Sequence, residues 1–573
     1  MSAGAGPTHG MKNVSLWLVL GFTGLGCAWL FPGHFFPWPG FRQEVLAAVA
    51  FIVLAVAALT GVERINWPRI AVIAFAAACI PLLQLAFGQI DFRGGGLLSA
   101  TYLVAFAASI AVGATLGSGK SREQPIDGFA ACLVAAGIVS SGMALCQWLG
   151  PSVWEGLLDT HNGRRPVANI GQPNHLSTLL LLGVVGALYW YEKRRINGWS
   201  AAFVVAWLGW GIVLTESRTG WLNVAVIALW WFFMRKRGSL RLQTLPIGLG
   251  VAAFALAVFC LSELHVLVGA VEPIDAVSTT IRLDAGPRPL HWAMLADALR
   301  QSPWWGYGWS QVANAQFAVS ANHPATGAWL TQSHNLVLDL LVYNGLPVGL
   351  LLSSLLLLWF VRHARACNDA TSCCLLLALF MLFNHALLEN PLHYAYFLLP
   401  AGLLIGILSE DLRAERRWLG GRLSLAIPIA VLLVPLTVVT AEYLRAEEAL
   451  RELRLAFAGV GKPPSELPQP DWYLVDGWAA YLRASTMAVS ADMQPEQIDE
   501  LRKVASRYPY ANILMQYARA SALNANPEAA HRVFVHGCKV LVRPTCEAMR
   551  KVWSDLQSSE PKFRLVAFPA WSG

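Results

Sequence analysis

Charge is scarce in this sequence. Of its 573 residues only 13% are Asp, Glu, Lys or Arg, against roughly 25% for a typical soluble domain. The deficit is local. Residues 1–440 hold 46 charged side chains (20 acidic, 26 basic), whereas residues 441–573 hold 31 (15 acidic, 16 basic). With 56% hydrophobic residues and a mean hydropathy of +0.49, the composition excludes a soluble enzyme and a disordered chain. Other absences narrow the chemistry. There is no HExxH zinc helix, no GxxxxGK phosphate loop and no GxSxG serine elbow. The external loops assigned below hold no Asp-x-Asp pair, which disfavours a metal-held nucleotide sugar. Neither a metal nor a cofactor is expected.

What the chain has instead is a series of apolar runs of bilayer-crossing length, about 20 helical residues each. They fall near 13–31, 43–60, 70–87, 96–116, 128–149, 174–191, 200–216, 219–234, 244–262, 336–360, 372–388, 393–409 and 424–440. The pair at 200–234 is separated by only a few polar residues. Thirteen alternating spans make a charge prediction, because cytoplasmic loops collect Lys and Arg. With the N-terminus inside, the cytoplasmic segments carry 18 basic residues, including Lys193-Arg194-Arg195 and the group around Arg235, and the opposite side carries 8. Reversing the chain would put every large cluster on the wrong face. The overall charge of +7 is therefore positional and does not point to nucleic acid.

The eight exceptions are Arg42, Arg93, Arg164, Arg165, Arg218, Arg282, Arg288 and Arg300. Arg218 stands out because TESRTG leaves almost no loop around it, and an arginine at that depth needs a pairing group or an anionic ligand. Two external connections are long, 150–173 and 263–335, and long connections are commonly functional. The second contains RPLHWAMLADALRQSPWWGYGW, whose Leu290, Met294, Leu295 and Leu299 repeat at helical spacing. Its Trp and Tyr residues suit the membrane interface. Polar residues concentrate at the external span ends: Gln172, Asn174 and His175; Glu216, Ser217 and Arg218; Arg288 and His291; His334 and Asn335; and Asn384, His385, Glu389, Asn390 and His393. A lone histidine at a helix end is ordinarily structural, but so many basic and amide groups on one face point to a site. Paired arginines neutralise a phosphate or pyrophosphate, and a histidine can take a proton from a hydroxyl nucleophile.

The stretches ANIGQPNHLS, ESRTGWL, RPLHWAMLADALRQSPWWGYGW and SHNLVLDLLVYNGLPVGL, in this order, resemble the bacterial family of O-antigen ligases, O-antigen polymerases and protein O-oligosaccharyltransferases. The resemblance covers roughly residues 15–410. It implies an all-α polytopic membrane protein, a GT-C-like glycosyltransferase with about 12–13 transmembrane helices. The family core has twelve spans, so the thirteenth, at 424–440, is a departure that would export the tail. The donor it implies is a glycan on undecaprenyl pyrophosphate, used outside the inner membrane. His334 corresponds to the family's essential histidine, and Arg218 and Arg288 to its arginines. These three are the expected catalytic residues. His175, Asn174, Gln172, Glu216, Asn335, Arg282 and His291 are expected to contact substrate, and His175 matches an element of the protein-glycosylating branch. A pilin-like exported protein is the expected acceptor. The alternatives are ligation to lipid A–core, polymerisation onto a second lipid-linked glycan, or, from another class, a transporter.

A cut at residue 440 separates the expected catalytic membrane domain, with its external loop 263–335, from a soluble helical domain at 441–573. The tail begins with the amphipathic AEYLRAEEALRELRLAF and continues through two helical stretches separated by YPY. One tetratricopeptide-like hairpin is legible there. Cys538 and Cys546, eight residues apart, are placed to bridge in an oxidising compartment. The remaining eight cysteines fall in or near spans.

Overall fold

The computed structural model describes residues 9–118, 122–150, 156–159, 165–267, 287–411 and 417–570. Arg282 and Arg164 lie outside the described residues. All thirteen expected spans fall on helices. They are α1 (His9–Leu30), α2 (Phe41–Gly61), α3 (Arg69–Ala77) with α4 (Cys79–Ala86), α5 (Arg93–Gly117) and α6 (Glu123–Leu149). There follow α7 (Pro173–Glu192), α8 (Gly198–Leu214), α9 (Arg218–Met234) and α10 (Thr244–Leu267). The helix of the long loop is α11 (Arg288–Gln301), succeeded by α12 (Val312–Val319). The last apolar helices are α13 (Leu336–Ala366), α14 (Ala370–Ala386), α15 (Ala395–Ser409) and α16 (Leu423–Phe457). By length and composition seven of the described helices can cross a membrane, and four more apolar helices are shorter. The protein is an all-α polytopic membrane protein.

The chain forms two compact units that do not follow a single cut at 440. The first comprises Met1–Ala77, Tyr102–Leu283 and Leu356–Leu433. The second comprises Ala78–Thr101, Asp284–Leu355 and Val434–Gly573, so the tail is grouped with the long loop and with the 78–101 segment.

Within the first unit, loops that charge placed on one side touch one another. Strand β1 (Arg64–Pro68) pairs antiparallel with β2 (Arg417–Gly421), Trp67 opposite Trp418. Glu123 pairs with Lys193 (2.5 Å) and Arg195 (3.0 Å). No strand was expected in either loop. At the other ends of the helices, the buried Glu44 carboxylate accepts from Trp38 Nε1 (2.7 Å), the Ala395 amide (3.0 Å) and the Tyr102 hydroxyl. A buried carboxylate is tolerated only when it is satisfied in this way. The ambiguous 200–234 stretch is two helices. Ser217 caps α9 by accepting from the Gly220 amide (3.1 Å), and Glu216 turns the chain at φ +47°.

In the second unit, α11 buries Met294, Leu295 and Ala298 against Val312, Ala315 and Val319 of α12, as its apolar spacing requires. The span expected at 336–360 is broken. Gly345 has φ +73° inside α13 and Pro347 follows. A Cβ at Gly345 would lie 2.4 Å from the Trp304 carbonyl oxygen, so only glycine lets the 303–306 turn dock there. The broken backbone is satisfied by that turn: Leu346 N donates to Pro303 O (2.7 Å) and Tyr307 N to Val342 O (2.8 Å).

Beyond α16 the described tail carries α17 (Asp476–Thr486), α18 (Pro495–Arg507), α19 (Ala511–Leu523), α20 (Pro527–Val540) and α21 (Arg543–Ser559). Gly537 of α20 sits against Leu514 of α19, and a Cys538–Cys546 disulfide staples α20 to α21. The Asp476 carboxylate accepts from the Arg93 (2.7 Å) and Gly94 (2.9 Å) amides at the start of α5. Arg507 donates to Ser310 O (2.6 Å), and Thr326 N donates to Lys539 O (2.8 Å). The tail is thus bonded to both the long loop and the 78–101 segment.

Candidate active site

The expected site residues fall into two clusters, one in each unit. In the second unit, Arg288 opens α11 and His291 lies one turn further on. His291 is 5% exposed, and its Nε2 meets no hydrogen-bond partner among the described residues. Burial first, and the nearby His334 ring second, push the His291 imidazole below its usual value, so His291 is neutral near pH 7. Trp292 Nε1 donates to Ser333 O (2.9 Å), tying α11 to the segment before α13.

That segment is closely specified. Ser333 N donates to Asp339 Oδ1 (2.8 Å), Ser333 Oγ to Asn335 O (2.8 Å), and Asn335 N to Ser333 Oγ (3.1 Å). Asn335 Oδ1 accepts from Leu338 N (3.1 Å) and so caps the helix. His334, between Ser333 and the cap, is held at φ +57°. That region is uncommon for a side-chain-bearing residue, and Ser333 and Asn335 hold the backbone on either side of it. The cap therefore belongs to Asn335, and the His334 side chain is half-buried beside it. The open cleft of about 500 Å³ in this unit, lined by Asp91, Arg93, Asp476 and Glu500 among others, includes none of these residues.

In the first unit the hub is Asn174, in the first turn of α7. Its Nδ2 donates to Glu389 Oε1 (2.8 Å), and its Oδ1 accepts from Ser217 Oγ (2.8 Å) and Arg165 Nη2 (3.1 Å). Arg165 Nε also donates to Thr215 O (2.8 Å), a carbonyl at the C-terminal end of α8. Ends of α7, α8 and α9 and the loop after α14 thereby converge, as expected of span ends on one membrane face. Arg218, exposed, is the first residue of α9. Gly220 allows this approach, because a Cβ there would meet Ser177 Oγ of α7 at 2.1 Å. Gln172 is the residue before α7 and makes no side-chain cap.

His175 is not at the surface. It is 1% exposed, its Nδ1 is 3.3 Å from the Tyr396 hydroxyl, and its ring meets those of Tyr394 and Phe397. His385 is equally enclosed, with Nδ1 2.5 Å from Thr178 Oγ1. One helical step separates Asn174 from His175, and that step turns one outward to the hub and the other into the core. Reading residues by motif did not single out Arg165. Its only signal was its place among the arginines that break the charge rule. Among the described residues no His, Cys, Asp and Glu group has the arrangement of a metal site.

Comparison with known proteins places these residues in matched segments. Residues 202–353, which carry Arg218, Arg288, His334 and Asn335, match a family described as O-antigen ligase. Residues 166–191, which carry Gln172, Asn174 and His175, match one described as protein glycosylation ligase. Residues 373–537 match the C-terminal part of a virulence factor membrane-bound polymerase family. The chain is 33% identical over 405 residues to a general O-oligosaccharyltransferase of Acinetobacter baylyi, covering 69% of this chain and 70% of that protein. It is 26% identical over 532 residues to a ComP-specific O-oligosaccharyltransferase of the same bacterium, covering 89% of this chain and 92% of that one.

Proposed function

Because the chain belongs to the family of O-antigen ligases and protein O-oligosaccharyltransferases, we propose that it transfers a preassembled oligosaccharide from undecaprenyl pyrophosphate to serine or threonine hydroxyls of exported proteins. It is a glycosyltransferase of the oligosaccharyltransferase type, and its acceptor is a protein. The observation that carries this reading over ligation to lipid A–core is the protein-glycosylation match at 166–191, the segment whose Asn174 organises the first cluster. A pilin-like acceptor is the finer form of the proposal. The polymerase match at 373–537 favours chain extension onto a second lipid-linked glycan as the next reading.

In the proposed chemistry, negative charge develops on the pyrophosphate oxygen as its bond to sugar C1 breaks. Arg218 and Arg288 are assigned to that charge, a preorganised interaction commonly worth several kcal/mol, roughly 3 per donor. His334, as neutral imidazole, takes the proton of the acceptor hydroxyl while its oxygen attacks C1, which implies one displacement with inversion. His291 and Asn335 flank this base, and Gln172, Glu216 and Arg282 remain substrate-contact assignments. No step calls on a metal. The site faces the periplasm of a bacterial inner membrane in this scheme. The biased loop charges and the tail disulfide support that side.

Mass spectrometry of exported proteins from cells with and without the chain tests the reading. Loss of glycan from one or more exported proteins is expected. An unchanged glycoprotein profile with lost long-chain lipopolysaccharide would reject the protein acceptor in favour of ligation to lipid A–core or polymerisation.

A further inference from the structure

We infer that Glu389 and Arg165 are positioning residues that act through the Asn174 amide on the turn presenting Arg218; the inference rests on the assignment of Arg218 to the donor pyrophosphate. A carboxamide has one accepting and one donating end, and its orientation follows from its neighbours. Arginine can only donate, so the end of Asn174 facing Arg165 Nη2 at 3.1 Å must be Oδ1. The opposite end, 2.8 Å from Glu389 Oε1, must then be Nδ2. Reversing the amide would set donor against donor at Arg165 and acceptor against acceptor at Glu389.

The consequence runs into α9. With Oδ1 turned to Ser217, the serine hydroxyl donates to it (2.8 Å), which leaves an Oγ lone pair for the Gly220 amide (3.1 Å). That bond is the N-cap of α9, whose first residue is Arg218. Arg165 Nε holds the other side of the turn through Thr215 O, where a cation also suits the C-terminal end of α8. Between these two anchors Glu216 sits at φ +47°, a conformation that persists in a non-glycine residue when its surroundings over-determine it. Glu389 is 4% exposed and lies 215 residues from Asn174 in sequence. Its contact with Asn174 orients the amide that holds this turn.

Reversing the polarity tests this in the full-length protein purified in detergent. Asn174→Asp leaves only acceptors at position 174, one of them against the Glu389 carboxylate. Adding Glu389→Gln restores a donor to that contact from the other side. Two readouts are taken: amide exchange of peptide 213–221, and the kcat and KM of transfer from an undecaprenyl-pyrophosphate oligosaccharide. In Asn174→Asp, exchange is expected to rise about 10-fold, and kcat to fall about 30-fold with little change in acceptor KM. In the double variant both should return to within about 3-fold of wild type. A merely structural loss would lower the folded fraction and leave kcat per folded molecule near wild type. Wild-type exchange in Asn174→Asp, or a double variant no better than the single one, overturns the inference. Should Asn174→Asp not fold, Arg165→Met decides, since removing the Thr215 anchor must also accelerate exchange at 213–221. Arg218→Lys separates the two layers. Full transfer in that variant removes the pyrophosphate assignment, whereas unaltered exchange in Asn174→Asp or Arg165→Met removes the positioning network whatever the activity.

Discussion

His334 is flanked by a serine bonded to Asp339 and by an asparagine that caps α13, and this division of labour makes its role measurable. Because Asn335 supplies the cap, His334→Ala should leave the helix start intact. Loss of a placed general base typically costs about 10²–10⁴ in rate. The expected result is a loss of that size per folded molecule in single-turnover transfer, with donor binding and melting temperature near wild type. A wild-type rate would remove the base role. His291 gives a pH signature of different origin. Burial holds its folded pKa below the usual imidazole value, so the unfolded chain binds the proton first as pH falls through about 6.5. The stabilisation is complete above that pH and is lost as pH drops toward the depressed folded value. Melting temperature should therefore fall between about pH 7.5 and pH 5.5, and less steeply in His291→Gln. Equal slopes would show that His291 contributes nothing to this dependence.

At the scale of elements, breaks matter more than helices. The 31 residues of α13 read as a single apolar run, yet Gly345 divides them at φ +73°. The signal was present in NGLP, a turn-forming string, but its meaning depends on the 303–306 turn that docks against it. Gly345→Ala should destabilise the protein by about 1–3 kcal/mol from backbone strain, with a further steric cost at Trp304 O. Thermal unfolding in detergent measures this, and an unchanged melting temperature would mean that the docked turn can withdraw. The amphipathic face of α11 was legible because Met294, Leu295 and Leu299 obey the helical period, and all three are buried. Helix α16 joins the expected last span and the amphipathic tail helix in 35 continuous residues, about 50 Å at 1.5 Å per residue. No turn residue marks a boundary at 440.

For the whole molecule, topology is the testable quantity. Reporter fusions after residues 160, 310 and 470 should report the external compartment, and those after 196, 238 and 418 the cytoplasm. A cytoplasmic result at 470 alone would remove the thirteenth span. A cytoplasmic result at 310 would remove the proposed site from the donor's side. These expectations come from the sequence by itself, as do the helical segments, the helix of the long loop and the family motifs. Their physical basis is local or additive: apolar length decides whether a helix can cross, and summed loop charge decides which way. The tertiary structure alone decided which polar groups meet. Asn174 joins Arg165 at 9 residues, Ser217 at 43 and Glu389 at 215, while its neighbour His175 turns into the core. Likewise only packing grouped the 78–101 segment and the long loop with the tail. A hydrogen bond needs its donor and acceptor within about 3 Å, and only the packed helices bring residues so far apart in sequence to that distance.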